Sequence, residues 1–198
     1  EKYYLLKKNV KIESDTFILF GDLVKIFFEK DLYDVQVIDA VGNVRLDSPQ
    51  YQLQAEGENL IFTVIKEQIY IKGQSSKLIT NDTEMFSDGE IIVNNLSGEF
   101  LISGENSSLS AQDIYIEGEY IDGIFENNSE TETKDIVLLN VKDKEISYVK
   151  TENTDMYANI VKYDKSTSLI ELEDNVKIIR DGETITGDYG TLDTETNS

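Results

Sequence analysis

The side chains that could act as acids, bases or nucleophiles here are Asp, Glu, Lys, Tyr, Ser and Thr, because the 198 residues include no Cys and no His. That absence removes disulfides, Cys-rich zinc sites, thiol nucleophiles and His-dependent triads. Carboxylates are abundant, 39 Asp and Glu against 18 Lys and Arg, so acid pairs of the glycosidase kind can be drawn almost anywhere and none stands apart from a solvated acidic surface. No loop has the Asp-x-Asp-x-Asp-Gly pattern of a calcium site. Tyr-rich stretches at Tyr3-Tyr4 and 115–120 suit either carbohydrate platforms or cross-strand packing. The net charge of −21 opposes binding to nucleic-acid phosphates. The expectation is a non-enzyme with no catalytic residue, no cofactor and no metal, whose working chemistry is apolar.

The apolar residues recur in a fixed pattern. Residues 175–188 read NVKIIRDGETITGD, two β-type runs around Asp181-Gly182, and Asp-Gly between alternating apolar residues is a strong hairpin signal. The same Asn-Val-Lys-Ile stands at Asn9, and in both places Gly-Asp follows twelve residues on, at Gly21-Asp22 and Gly187-Asp188. Frames laid at Asn9, Asn43, Gln68, Glu99 and Asn175 give four apolar columns. The first holds Val10, Val44, Ile69, Phe100 and Val176, and the second Ile12, Leu46, Ile71, Ile102 and Ile178. The third holds Leu19, Leu53, Leu78, Leu109 and Ile185, and the fourth Ile26, Leu60, Met85, Ile116 and Leu192. Phe28 and Phe62 continue the alternation of Ile26 and Leu60. A small residue followed by a polar one separates the third and fourth columns: Gly21-Asp22, Ala55-Glu56, Thr80-Asn81, Ala111-Gln112 and Gly187-Asp188. The step between those columns is odd, so a bulge or sharp bend is expected at the small residue to keep both columns on one face. A sixth frame near Glu145, with Ile146, Tyr148, Met156, Ala158-Asn159 and Tyr163, fits only with one residue inserted.

Strands with period two and essentially no helix are therefore expected, stacked as a solenoid-like or rolled sheet. Residues 126–135 (ENNSETETKD) hold no apolar side chain and read as a long hairpin tip or a hinge within a single domain spanning 1–198. No apolar run reaches the roughly 18 residues that a membrane-spanning helix needs. Glu1 leads almost directly into the strand-like run 3–6, and residues 194–198 stop just after a frame, so the chain is expected to be a processed or trimmed product with more sequence following it. Residues 1–30 carry six Lys against five Asp or Glu, a net +1 that leaves −22 for the remainder.

The frame Asn9-Val10-Lys11-Ile12 with Gly21-Asp22, its copy Gly42-Asn43-Val44-Arg45-Leu46 with Ala55-Glu56, and Asn175-Val176-Lys177-Ile178 with Gly187-Asp188 resemble the OstA-like family of lipopolysaccharide transport proteins. Residues 163–167 (YDKST), followed by Leu172 and Asn175-Val176, resemble that family's connector between units. The likeness is good over 1–62 and 156–193 and looser across 63–155, and 35–46 (VQVIDAVGNVRL) is most similar to the inter-repeat strand pair of the LptA branch. The resemblance implies an all-β fold, a twisted and partly open antiparallel β-jellyroll built from repeated hairpins, in the periplasm. It implies that the apolar columns line a groove for lipopolysaccharide acyl chains, and that terminal edge strands join LptC-like or LptD-like proteins or a second copy of the chain. Phosphates of the lipid would then stay in solvent near Lys7, Lys8 and Lys11. The residues by themselves equally allow an acidic β-solenoid with a closed core, serving as a structural or adhesin-like segment.

Overall fold

The structure, a computed structural model, describes residues 2–30, 34–80, 82–129 and 133–194. Asn81, one of the polar frame residues, and 130–132 of the expected tip lie outside the described residues. Among the described residues there is no α-helix, only the short 3-10 turns Pro49–Tyr51 and Val64–Lys66 between strands. The chain opens with four long strands, β1 (Lys2–Glu13), β2 (Ile18–Phe28), β3 (Val35–Ser48) and β4 (Leu53–Thr63). Eight short ones follow: β5 (Gln68–Lys72), β6 (Ser76–Ile79), β7 (Thr83–Ser87), β8 (Glu90–Asn94), β9 (Glu99–Ser103), β10 (Ser108–Ala111), β11 (Ile114–Glu117) and β12 (Tyr120–Asn127). Four long strands close the chain: β13 (Lys134–Lys150), β14 (Thr154–Asp164), β15 (Leu169–Arg180) and β16 (Glu183–Asp193).

All pairings are antiparallel and belong to one sheet that folds over on itself. The long strands bend in the middle, with pairing that skips from Lys7 to Val10 in β1, from Phe20 to Leu23 in β2 and from Val41 to Val44 in β3. The same skip recurs from Lys142 to Ser147 in β13, from Tyr157 to Ile160 in β14 and from Glu173 to Val176 in β15. In the central part the bend becomes a break, so β5 with β6, β7 with β8, β9 with β10 and β11 with β12 are each one bent strand cut at its corner. The bends divide the sheet into two arms. Half of β4 pairs β5 while its other half pairs β6, and β13 pairs β12 with its first half and β11 with its last residues. The first arm runs through β5, β8, β9 and β12, the second through β6, β7, β10 and β11, and their inner faces form one hydrophobic core. This is the all-β, antiparallel, jellyroll-like form expected from the sequence.

The Asn of the frame is explained by the corner it makes. Asn9, Asn43 and Asn175 have φ of 49°, 48° and 55°, and Asn is among the few residues that enter the left-handed region readily. The frame's Asp sits on the neighbouring bend and accepts from that Asn: Asn43 Nδ2 donates to Asp22 Oδ2 at 2.8 Å. Asn106 Nδ2 donates to Asp88 Oδ2 at 2.7 Å, and Asn175 Nδ2 to Asn159 Oδ1 at 2.6 Å, so the bends stack into a polar seam. Buried hydroxyls complete it from the inside, with Ser87 Oγ donating to the Ser103 carbonyl at 2.8 Å and Ser107 Oγ to that of Gly104 at 2.7 Å.

Three readings of the frames need correction. Val10, Val44 and Val176 follow the bend, whereas Ile69 and Phe100 lie on the arm before it, so the frames at Gln68 and Glu99 start one arm early. Ala55-Glu56 falls two residues short of the bend at Gly57-Glu58, and Ala111-Gln112 ends β10 at the outer rim, so neither is a bend. In the sixth frame Ser147 and Val149 are buried, not Ile146 and Tyr148, because the irregular turn at 143–146 shifts the face by one residue. At the edge of the described part of the polar stretch, Asn127 of β12 pairs opposite Lys134 of β13.

Candidate functional site

The pairing register puts the four apolar columns of the five regular frames on the inner face of the folded sheet. Val10, Leu19, Val44, Leu46, Leu60, Ile69, Ile71, Leu78, Met85, Phe100, Ile102, Leu109, Ile116 and Val176 are buried in one cluster. Ile12, Ile26, Leu53, Phe62, Ile178 and Leu192 are half-buried against it, and Phe28 is half-buried beside Tyr4, ring centroids 5.0 Å apart. Ile185, on the last strand and opposite Ile178, is 64% exposed.

Burial along this inner face is uneven. In the centre Ile71, Ile91, Ile102, Leu109, Ile116 and Ile121 are all 0% exposed, which leaves the two arms in contact. At the N-terminal end the inner face of β1 carries Tyr4 and Leu6, 49% and 38% exposed, paired with Ile26 and Val24. At the C-terminal end the arms part at the rim opposite the bends, leaving a cleft of about 470 Å³. Its floor is Leu139, Val149, Val161 and Ile170, and Ile114, Ile136, Tyr163 and Leu192 form its walls. Asp135 and Lys165 stand at the lip on the first arm, with Asp113 and Glu152 on the second, while the Lys134 ammonium donates to Asn95 Oδ1, outside the cleft, at 2.9 Å.

Hydrogen bonds across the rim close the cleft on its central side. The Lys134 amide donates to Asp82 Oδ2 at 3.0 Å, and Gln112 Nε2 donates to Thr133 Oγ1 at 3.1 Å and to the Lys134 carbonyl at 3.3 Å. Along the first lip Lys165 Nζ lies 2.8 Å from Asp135 Oδ2, and this contact holds the Asp135 carboxyl below its ordinary range and raises the Lys165 ammonium. Burial in the cleft wall pushes the Tyr163 phenol up.

Most of the cleft was not singled out in the sequence; of its floor and walls only Leu192 and Tyr163 fall in a frame. Strict alternation at Leu169–Arg180, where Ile170 and Leu172 alternate with Glu171 and Glu173, was the available signal. The lysines expected near lipid phosphates sit at the opposite end, where Lys8 occupies the bend of β1 and Lys11 Nζ contacts Glu13 at 2.6 Å. The tyrosines at 115–120 resolve as cross-strand packing. Tyr148 stacks on Tyr157 with centroids 4.9 Å apart and meets Tyr115 edge-on at 6.3 Å, while Lys177 Nζ covers the Tyr157 ring at 5.5 Å.

The two outermost strands each pair on one side only, β1 with β2 and β16 with β15, leaving backbone donors and acceptors along both edges. No helix among the described residues is long and apolar enough to cross a membrane. No protein-family model matches the chain, and no curated protein matches it. Among solved structures it is similar to LptH from Pseudomonas aeruginosa, the LptA homologous periplasmic component of the conserved lipopolysaccharide transport device, at 15% identity and a TM-score of 0.47, over 59% of this chain and 78% of that one.

Proposed function

We propose that the protein is a periplasmic carrier that shelters lipopolysaccharide acyl chains between the two arms of its folded sheet and bridges toward the outer membrane. The observation that carries this reading is an apolar inner face running from β1 to β16, parted into a cleft at one end and uncovered at the other. The residues shared with the OstA-like frame support the same reading. Each methylene taken out of water contributes about 0.8 kcal/mol, without direction, so a tail is held yet free to slide. Open edges at β1 and β16 suit strand addition by LptC-like or LptD-like neighbours or by a second copy, each extending the inner face.

The tightly packed centre favours a second reading, an acidic structural segment whose core stays dry. Photo-crosslinking separates the two. A photoreactive side chain at Ile26 or Leu53 is expected to capture lipopolysaccharide, while one at Leu96, which is 64% exposed on the β8–β9 turn, captures none. Equal or absent capture at all three positions would favour the structural segment.

A further inference from the structure

The sequence holds three Asp-Gly dipeptides, Asp88-Gly89, Asp122-Gly123 and Asp181-Gly182. In each, the glycine nitrogen is chemically able to attack the carboxyl before it, because no Cβ on the glycine obstructs the approach. The fold ties down the first two. Asp88 Oδ2 accepts from Asn106 Nδ2 at 2.7 Å and Oδ1 from the Ser75 amide at 3.0 Å, while the Gly89 amide donates to Ser87 Oγ at 2.9 Å. Asp122 and Gly123 lie in β12 with a paired strand on each side, and Asp122 Oδ2 accepts from Asn140 Nδ2 at 2.9 Å.

The third is held by far less. Asp181 and Gly182 make up the whole two-residue turn between the paired Arg180 and Glu183, with φ of 50° and 81°. The Asp181 side chain is 84% exposed, its carboxylate lies 3.8 Å from Arg180 Nε, and a Cβ on Gly182 would meet nothing within 4 Å. The strand that follows, β16, is paired on one side only, and Glu183, Thr184 and Ile185 are exposed, so the turn can open without disturbing the core.

We infer that Asp181-Gly182 is a site of spontaneous isoaspartate formation, and that the product loosens the β16 edge. The Gly182 nitrogen bonds to Cγ of the Asp181 carboxyl, a C–O bond there breaks, and the hydroxyl leaves with the amide proton as water, closing a five-membered succinimide. Water then adds at the α-carbonyl and the ring C–N bond at that carbon breaks. The main chain now runs through Cβ and Cγ and is one methylene longer, with no net change in mass or oxidation state. A two-residue turn fixes hairpin register through its length and its two positive φ angles. The longer turn no longer matches the pairing of Arg180 with Glu183, and the residues that lose partners belong to one of the two open edges. None of this chemistry depends on what the interior carries.

Ageing the intact protein in warm, mildly acidic buffer tests this, with isoaspartate located by peptide mapping and counted by methylation with a protein isoaspartate methyltransferase. Isoaspartate should accumulate at 181 at least about tenfold faster than at 88 or 122. In the urea-unfolded chain the three positions should agree within about threefold, since each is followed by glycine. Asp181→Glu, whose longer side chain needs a six-membered ring, should remove the signal at this turn alone. In the aged chain, amide exchange at residues 183–185 should speed up by at least about tenfold while that at Ile102 is unchanged. Equal rates at the three positions in the folded chain, or isoaspartate at 181 only after unfolding, would overturn the assignment of the site. Isoaspartate at 181 with no change in exchange along β16 would overturn the loosened edge.

Discussion

The centre and the two ends of this molecule use the same bent strand in opposite ways. From β5 to β12 each bend is cut into a sharp corner, the arms close, and inner side chains such as Ile91 and Ile121 lose all contact with water. From β1 to β4 and β13 to β16 the strands run through their bends unbroken and the arms part toward the edges. The difference lies in the corners. At two central corners backbones approach so closely that only glycine fits: a Cβ at Gly89 would stand 2.2 Å from the Ser103 carbonyl oxygen, and one at Gly104 2.7 Å from the Gly89 backbone. At the bends of the long strands the nearest atoms belong to side chains, Asp22 Oδ2 2.6 Å from a Cβ on Gly42 and Ile71 Cγ2 2.6 Å from one on Gly57, and on the edge strand a Cβ on Gly187 meets nothing nearer than 3.5 Å.

If this contrast governs stability, the largest effect belongs to the centre. Ile102→Ala should cost about 2–5 kcal/mol in urea unfolding, since it empties a site with no access to solvent, whereas Ile185→Ala on the exposed inner face of β16 should change stability by under about 0.5 kcal/mol. Comparable losses at both positions would mean that the ends are as closed as the centre. Next come the corners. Gly104→Ala, at φ +134° and against the Gly89 backbone, should cost about 1–3 kcal/mol or more, and Gly187→Ala little or nothing, read in the same experiment.

The smallest effect is at the boundary between the two regions, where Asp135 meets Lys165. The folded carboxyl titrates below its ordinary value of 3.8, so its contribution is fully present above that value and is lost as pH falls through the lower folded one. The pair is partly exposed, its side chains 21% and 50% accessible, which limits the effect to under about 1 kcal/mol. Asp135→Asn should flatten the acid side of the stability curve by that amount and leave the neutral side lower by the same amount. A curve parallel to that of the unchanged protein would show that the contact does not hold the lip.

The sequence disclosed the bends only where their chemistry was repeated. Asn9, Asn43 and Asn175 each take the left-handed conformation themselves, and the apolar residue after them faces inward, so spacing alone locates these corners. In the centre the same corner is made by Gly73 with Ser75 and by Gly104 with Asn106, and no Asn-Val marks the return of the strand. The framed columns still fell on the inner face there, because a frame displaced by a whole arm preserves the alternation. The cleft was harder to see. Leu139, Val149 and Val161 become its floor only because β13 changes face at 143–146 and the arms part beyond the Gln112 contacts, both consequences of pairing between strands distant in sequence.

Each bent strand contacts chiefly the ones beside it, and β1 and β16 never meet to close a ring. Length is therefore a free variable in this architecture. Duplicating one pair of bent strands would extend the span by about 10 Å, two strand spacings, while leaving both terminal edges chemically as they were. A gap of different width could be matched by changing how many pairs are present, with no redesign of the surfaces that dock at either side.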